Sequence, residues 1–236
     1  MTWNVHRAKG RDGRTDPARI ENAIEQVLTP FDPDILALQE ADGECRPHAR
    51  ILDVARIAAQ TGLSYIHDQP TLRWGPDSDG FLGTILFLNK RFQRISADVI
   101  DMPGHCHRGA VVVEVMAEKS PIRIMSCHLS LSQPLRIIQM RVIGQYLRRR
   151  PAMQTILLGD LNEWRPWLGM AFAKKIVGRQ FKGPSEATFP TQRPLLALDR
   201  ILTDAPGHVE EVHAVDHPDT NMASDHRPLR GVVTVP

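Results

Sequence analysis

The sequence predicts an α/β protein made of two packed β-sheets with helices on the outside. Three observations lead there. Short apolar runs of strand length recur along the whole chain, roughly nine of them, separated by Gly- and Pro-rich loops. Only three long stretches carry helical periodicity, too few for a helix between every pair of strands. No repeat, low-complexity tract or long linker interrupts the 236 residues, so one domain over 1–236 is expected.

The elements follow in order. Asn4 belongs to the first strand. Asp16-Pro17 is an N-cap followed by N1, and Ile20, Ala23, Ile24, Val27 and Leu28 then mark one helical face that Pro30 closes. The run 34–40 reads as a buried strand with a polar exit at Gln39-Glu40. A second helix is predicted over 48–61, with Ile51, Leu52, Ala55 and Ala58 inward and Gly62 as its stop. Residues 69–80, with Pro70, Trp74, Gly75 and Pro76, are a loop. Strands are predicted at 84–88, 97–100, 110–116, 122–128 and 155–158. A helix over 134–149 precedes the last of these, with Leu135, Ile138, Val142 and Tyr146 on one face and Arg148-Arg149-Arg150 at its C-terminal end. Strands near 198–202, 209–215 and 229–235 complete the chain.

Composition excludes several classes. Lys+Arg number 29 against Asp+Glu 27, giving a formal charge of +2, which excludes a histone-like electrostatic binder. With 42% hydrophobic and 24% charged residues the chain is globular rather than disordered. Cys45, Cys106 and Cys127 are scattered and form no CxxC pair, so neither a disulfide framework nor a zinc ribbon is indicated, and a reducing, cytoplasmic setting is expected. No apolar run approaches the about 20 residues of a membrane span, and no apolar leader follows Met1.

The chemistry sits where polar residues end apolar strands. Glu40 closes Ile-Leu-Ala-Leu-Gln-Glu, His128 closes Ile-Met-Ser-Cys-His, and Asp160 and Asn162 follow Thr-Ile-Leu-Leu-Gly. Asp199 follows Leu-Ala-Leu, and Asp225-His226 precede the last strand. Any one of these alone reads as a turn cap or a solvated strand end. Together they indicate a shared cleft, because polar groups beside buried strands are costly unless they meet each other, water or a metal. Asn4, Glu40, Asp160, Asn162 and Asp225 are hard oxygen donors without a thiolate, which suits Mg²⁺ or Mn²⁺ better than zinc. Carboxylates, histidines, an amide and a hard cation form a phosphate-ester hydrolysis kit.

The motifs Trp3-Asn4-Val5-His6, Leu38-Gln39-Glu40, Cys127-His128-Leu129, Gly159-Asp160-Leu161-Asn162, Leu198-Asp199-Arg200 and Ser224-Asp225-His226-Arg227-Pro228-Leu229 occur in that order. Together they closely resemble the endonuclease/exonuclease/phosphatase superfamily, which includes deoxyribonucleases, abasic-site endonucleases, sphingomyelinases and inositol polyphosphate 5-phosphatases. Thr188-Phe189-Pro190 also looks like the family. The resemblance covers essentially the whole chain and implies a four-layer αββα sandwich. It further implies that Glu40 holds Mg²⁺, with Asn4 and Asp225 beside it directly or through water. Asp160 would position and deprotonate the attacking water, and Asn162 would hold that water or the phosphate. His226 would bind the scissile phosphate, with Asp199 fixing its tautomer. His128 would donate to a phosphate oxygen from the other side, and Arg108 resembles a family arginine near the phosphate. Whether Asp160 or the Asp199–His226 pair is the base stays open.

Other features read as ordinary. His105-Cys106-His107 is a loop, Arg148-Arg149-Arg150 a solvated helix end, and Trp164 and Trp167 line the cleft or cover core. Trp74 is a substrate-contact candidate. The chain departs from the resemblance in three ways: it starts inside the first motif, Arg200 stands where many relatives carry an aromatic residue, and it is short for duplex-gripping loops. Its opening residues 4–16 most resemble a bacterial branch, some of it linked to phospholipid metabolism. The expected activity is a Mg²⁺-dependent phosphodiesterase or phosphatase with a small or lipid substrate preferred. A nuclease using Lys9, Arg11 and Arg14, and an inactive binding module, are the alternatives.

Overall fold

The computed structural model describes residues 1–104, 108–118, 120–165 and 167–235. Strand runs that are apolar at successive positions send side chains to both faces of a sheet, and both faces must then be covered. Strand β2 (Ile35–Gln39) sends Leu36 and Leu38 one way and Ala37 the other, and β4 (Ile85–Leu88) splits Ile85 and Phe87 from Leu86 and Leu88. Likewise β7 (Ser120–His128) splits Ile122 and Ile124 from Met125 and Cys127, and β8 (Gln154–Asp160) splits Ile156 and Leu158 from Leu157. The result is three apolar layers. The central one lies between two sheets, and each outer one lies under helices.

The first sheet has the order β10-β11-β1-β2-β4-β3, using β1 (Thr2–Asn4), β3 (Ser64–Tyr65), β10 (His208–Ala214) and β11 (Leu229–Thr234). The second has the order β5-β6-β7-β8-β9, using β5 (Gln93–Met102), β6 (Arg108–Ala117) and β9 (Asp199–Thr203). Helix α1 (Pro17–Ala23), the helical turn that continues it over Ile24–Leu28, and helix α2 (Val54–Thr61) cover the first sheet through Ile20, Ile24, Leu28 and Ile57. Helices α3 (Gln133–Arg148) and α4 (Lys174–Val177) cover the second through Met140, Ile143, Leu147 and Ile176. This is the expected αββα sandwich. A short helix α5 (Pro218–Ala223) leads into the last motif.

Four local expectations change. Asp16 does cap α1, accepting from Arg19 N, but Pro30 does not end the α-helix: the chain widens into a π turn over Ile24–Leu28, and Pro30 sits inside a closing 3-10 turn. Helix α2 starts at Val54 rather than 48, because Asp53 supplies the cap to Arg56 N at 2.9 Å and His48 has φ +57. The inward face of α3 is Arg136, Met140, Ile143 and Leu147, whereas Ile138 is 44% exposed. Counting apolar residues misplaced that face because Arg136 and Gln139 point inward to bond the carbonyls of Ser130, Leu131 and Pro103. Strand β5 runs from Gln93 to Met102, longer than expected, because an edge strand tolerates exposed polar residues; β3, of two residues, is too short for any pattern to show.

Strand direction explains the site. Neighbours β1 and β2 are parallel, as are β7 and β8, so Asn4, Gln39, His128 and Asp160 all lie at C-terminal ends, with registers Asn4↔Gln39 and His128↔Asp160. Antiparallel β9 contributes its first residue through Asp160↔Asp199. Antiparallel β11 brings Asp225-His226 to that end of the first sheet.

Candidate active site

The shelf of the site is the end of β8. Gly159 has φ +137, and a Cβ there would lie 2.0 Å from the carbonyl oxygen of Cys127, so only glycine lets β8 run this close to β7 before Asp160 turns inward. Asn162, at φ +50, turns back so that its N–H donates to Asp160 Oδ1 at 3.1 Å and its amide donates to Leu129 O at 2.9 Å. Glu40 also has positive φ, and Gly83 packs directly behind it.

The two sheets meet through side chains. Asn4 Nδ2 on β1 donates to Asp160 Oδ2 on β8 at 2.9 Å, and reaches Glu40 Oε1 at 3.5 Å. Asn4 is itself held: its Oδ1 accepts from His6 N, and its backbone carbonyl accepts from Ser224 Oγ. Ser224 Oγ in turn accepts from His226 N, and Trp3 Nε1 donates to His226 O. His226 Nδ1 pairs with Asp199 Oδ2 at 2.8 Å, an oxygen that also accepts from Thr188 Oγ1 at 2.5 Å. The Phe189 ring lies 4.9 Å from the imidazole. His226 Nε2 is 3.9 Å from Asp160 Oδ2, and His128 Nε2 is 3.3 Å from the same oxygen. Asp160 Oδ2 therefore accepts from Asn4 and faces the imidazoles of His128 and His226.

Burial sets the charges. It pushes the Asp160 carboxyl up to about 6, opposed by the positive charge of His226. Burial by itself would lower His226, yet the charge and hydrogen bond of Asp199, backed by Asp160 and Asp225, raise it to about 10. His128 is driven well below its ordinary value by burial, with Arg108, His226 and Arg7 adding to the effect. Near neutral pH the site holds ionised Asp160, protonated His226 and neutral His128.

Asn4, Glu40, His128, Asp160, Asn162, Asp199 and His226 thus come together. Asp225 stands at the rim, 39% exposed, with Oδ1 3.5 Å from His6 Nδ1. Arg108 lines a cleft of about 400 Å³ with Glu40, Gly83 and His128. Arg7 was not singled out from the sequence, yet its guanidinium grips Glu40 Oε2 at 2.5 Å. His6, Arg7 and Ala8 all have positive φ, and no residue type in Val-His-Arg-Ala signals that turn. Ser224 was visible within its motif, but its partner Asn4 lies 220 residues away. Arg200 is fully buried and donates to the carbonyls of Glu163, Arg165, Gly183 and Pro184, so it ties loops rather than facing the site. Trp74 is half-buried against Phe81, whereas Trp164 and Trp167 are exposed. The residues 105–107 lie outside the described ones.

The donors suit a divalent cation. Ligand atoms of Asp160, Asp199 and His226 lie within 4.8 Å of one another, but His226 Nδ1 is already spent on Asp199. Glu40 offers its carboxylate in the cleft and already draws a cation, the Arg7 guanidinium, onto itself, whereas Asn4 turns Nδ2 toward Glu40 and Asp160 and its Oδ1 toward His6 N. Cys127 is buried under α3 with its thiol pushed up by burial, while Cys45 is exposed and lines the cleft with Glu40. An oxygen-only set of this kind fits Mg²⁺ or Mn²⁺.

A family model described as "Endonuclease/Exonuclease/phosphatase family" matches residues 1–226. The chain belongs to the endonuclease/exonuclease/phosphatase family. It is 34% identical over 216 residues to the uncharacterised protein YbhP of Escherichia coli K12, covering 85% of this chain and 82% of that one. Among solved structures, D. rerio TDP2 complexed with single-strand DNA product superposes with TM-score 0.69 at 18% identity, covering 99% of this chain and 97% of that one. A mannosyl-6-phosphatase of Bacteroides thetaiotaomicron superposes with TM-score 0.72 at 14% identity, covering 99% and 98%. Both likenesses are of this family's fold. No helix among the described residues is long and apolar enough to cross a membrane.

Proposed function

We propose that the protein is a Mg²⁺-dependent phosphoric ester hydrolase that cleaves its substrate by in-line attack of an activated water. One observation carries this reading: a buried carboxylate, Asp160, faces an imidazole, His226, at 3.9 Å from its Nε2, while Asp199 holds the other ring nitrogen at 2.8 Å. That is the pairing a base and an electrostatic partner need at one phosphorus atom.

Asp160, ionised above about 6, accepts the proton of the attacking water, while Asn4 and Asn162 N–H hold its two oxygens in place. Asn162 is anchored by Leu129 O, so its own carbonyl oxygen is left to accept from that water or to border the phosphate. His226, protonated below about 10, donates from Nε2 to a phosphate oxygen and offsets the charge that develops there. Asp199 keeps the other ring nitrogen protonated, and Thr188 fixes Asp199. His128, neutral, donates from the opposite side, and Arg108 adds fixed positive charge. Glu40, with Asn4 and Asp225, would hold Mg²⁺, which when bound polarises the phosphoryl oxygens.

A small or lipid phosphate ester is the preferred substrate. The +2 charge offers little for gripping a long polyanion, and Trp164 and Trp167 expose apolar surface on the loop after Asn162. The DNA-bound TDP2 likeness supports a nuclease as the second reading. Unpaired Cys45 and Cys127 support a cytoplasmic setting. The test is hydrolysis of bis(p-nitrophenyl) phosphate, p-nitrophenyl phosphate, phospholipids and oligonucleotides with Mg²⁺ or Mn²⁺. Turnover of at least one ester class that stops in EDTA is expected; no turnover of any would contradict the reading.

A further inference from the structure

The cleft beside Glu40 continues past the catalytic cluster, and its far wall carries Glu44 and Arg46. Arg46 lies on that wall, its guanidinium 5.9 Å above the centre of the Trp74 ring. Trp74 packs on Phe81 at 5.9 Å, and the Phe81 ring occupies the space beside Gly109, where a Cβ would come within 2.6 Å. This stack is a rigid link from Arg46 to the strand position next to Arg108. Arg108 lines the same cleft as Arg46 and His128, and its charge adds to the lowering of His128.

Three arginines and three carboxylates line this cleft, but the carboxylates turn to other partners. Glu40 is gripped by Arg7, and Glu44 is 62% exposed with Arg7 3.6 Å away. Asp42 is buried and accepts from Ser78 Oγ and Gly80 N. Among the described residues, no carboxylate forms an ion pair with Arg46 or Arg108. The Nε of Arg108 is buried without a hydrogen-bond partner. Two guanidinium groups held against a concave wall without a counter-ion are an arrangement that recruits oxyanions, since the planar fork matches phosphate and carboxylate oxygens.

We propose that Arg46 and Arg108 form a second anion subsite, so that the preferred substrate carries a second phosphate besides the one being cleaved. This deepens the hydrolase reading and rests on it for the place of the first phosphate, at Asp160 and His226. The second phosphate lies toward Arg46, with the connecting group crossing the mouth of the cleft over Gly83. Arg46 is exposed on its loop, so it sets substrate choice without supporting the fold. Substrates of this class are bisphosphorylated small molecules or diesters with a neighbouring phosphate.

The test is a binding comparison between glycerol 1,3-bisphosphate and glycerol 1-phosphate by calorimetry, in Mg²⁺ buffer and again in EDTA. The wild type is expected to bind the bisphosphate at least about tenfold tighter than the monophosphate. Arg46→Gln should collapse that ratio toward one while monophosphate affinity changes little. Arg91→Gln, which removes a surface cation paired with Asp34, should leave the ratio intact. A wild-type ratio near one, a ratio that survives Arg46→Gln, or one that falls equally in Arg91→Gln overturns the subsite. Absence of phosphate ester turnover would sink the hydrolase reading while leaving an Arg46-dependent binding ratio in place, so the two failures are distinguishable.

Discussion

Asp160 and His226 owe their charge states to opposite balances of the same two forces. Burial dominates at Asp160, whereas the Asp199 carboxylate overrides burial at His226. Activity on any ester should therefore be bell-shaped in pH, rising near 6 as Asp160 ionises and falling near 10 as His226 loses its proton; a flat kcat/KM profile between pH 5 and 8 would remove Asp160 as base. The His226 shift also bears on stability. Its folded pKa lies above the unfolded value, so its contribution is fully present below about 6.5 and is lost as pH rises toward 10. Asp199→Asn should flatten that decline in thermal melts taken from pH 7 to 10. Asp199→Ala and His226→Ala should each damage one step, so their double mutant should be scarcely worse than the more damaged single. Losses that multiply would show that the pair does not act as a unit. Glu40→Gln keeps volume but removes charge, and the Mg²⁺ concentration for half-maximal activity should rise by at least about tenfold; an unchanged titration would release Glu40 from metal binding.

At the scale of elements, strands were legible and helices less so. Apolar runs such as Ile-Leu-Ala-Leu and Thr-Ile-Leu-Leu specify buried strands, and the polar residue that ends each marks the site. The inward face of α3 was not legible, because Arg136 and Gln139 are polar residues with backbone partners inside. Gly144 lets α3 approach Val177, whose carbonyl oxygen would lie 2.5 Å from an added Cβ, and no pattern of apolar residues announces that contact. The Arg7–Glu40 pair was hidden for another reason: it depends on three successive positive-φ residues without glycine or asparagine. Gly159, by contrast, sits inside a recognisable motif, and its geometry is testable. Gly159→Ala forces a side chain into Cys127 O at positive φ and should cost about 1–3 kcal/mol by denaturant melts. A neutral substitution would show that β7 and β8 do not need this close approach at Asp160.

Over the whole molecule, parallel pairing of β1 with β2 and of β7 with β8 brings residues from positions 4 to 226 to one end of the sandwich. The sequence order of the motifs announced that gathering, but not the cross-sheet bond from Asn4 to Asp160 that joins its two halves. The molecule carries little net charge, so binding of its preferred ester should depend shallowly on salt; a nuclease gripping duplex DNA would show a slope of about −0.9 per phosphate contacted. The most direct test of the account is a single comparison of wild type with Asp160→Asn on bis(p-nitrophenyl) phosphate, or on the best ester found, with Mg²⁺ present and chelated. The account expects metal-dependent turnover in the wild type, a loss of roughly 10²–10⁴ in kcat for Asp160→Asn, and nearly unchanged substrate binding. Wild-type kcat in Asp160→Asn would contradict it.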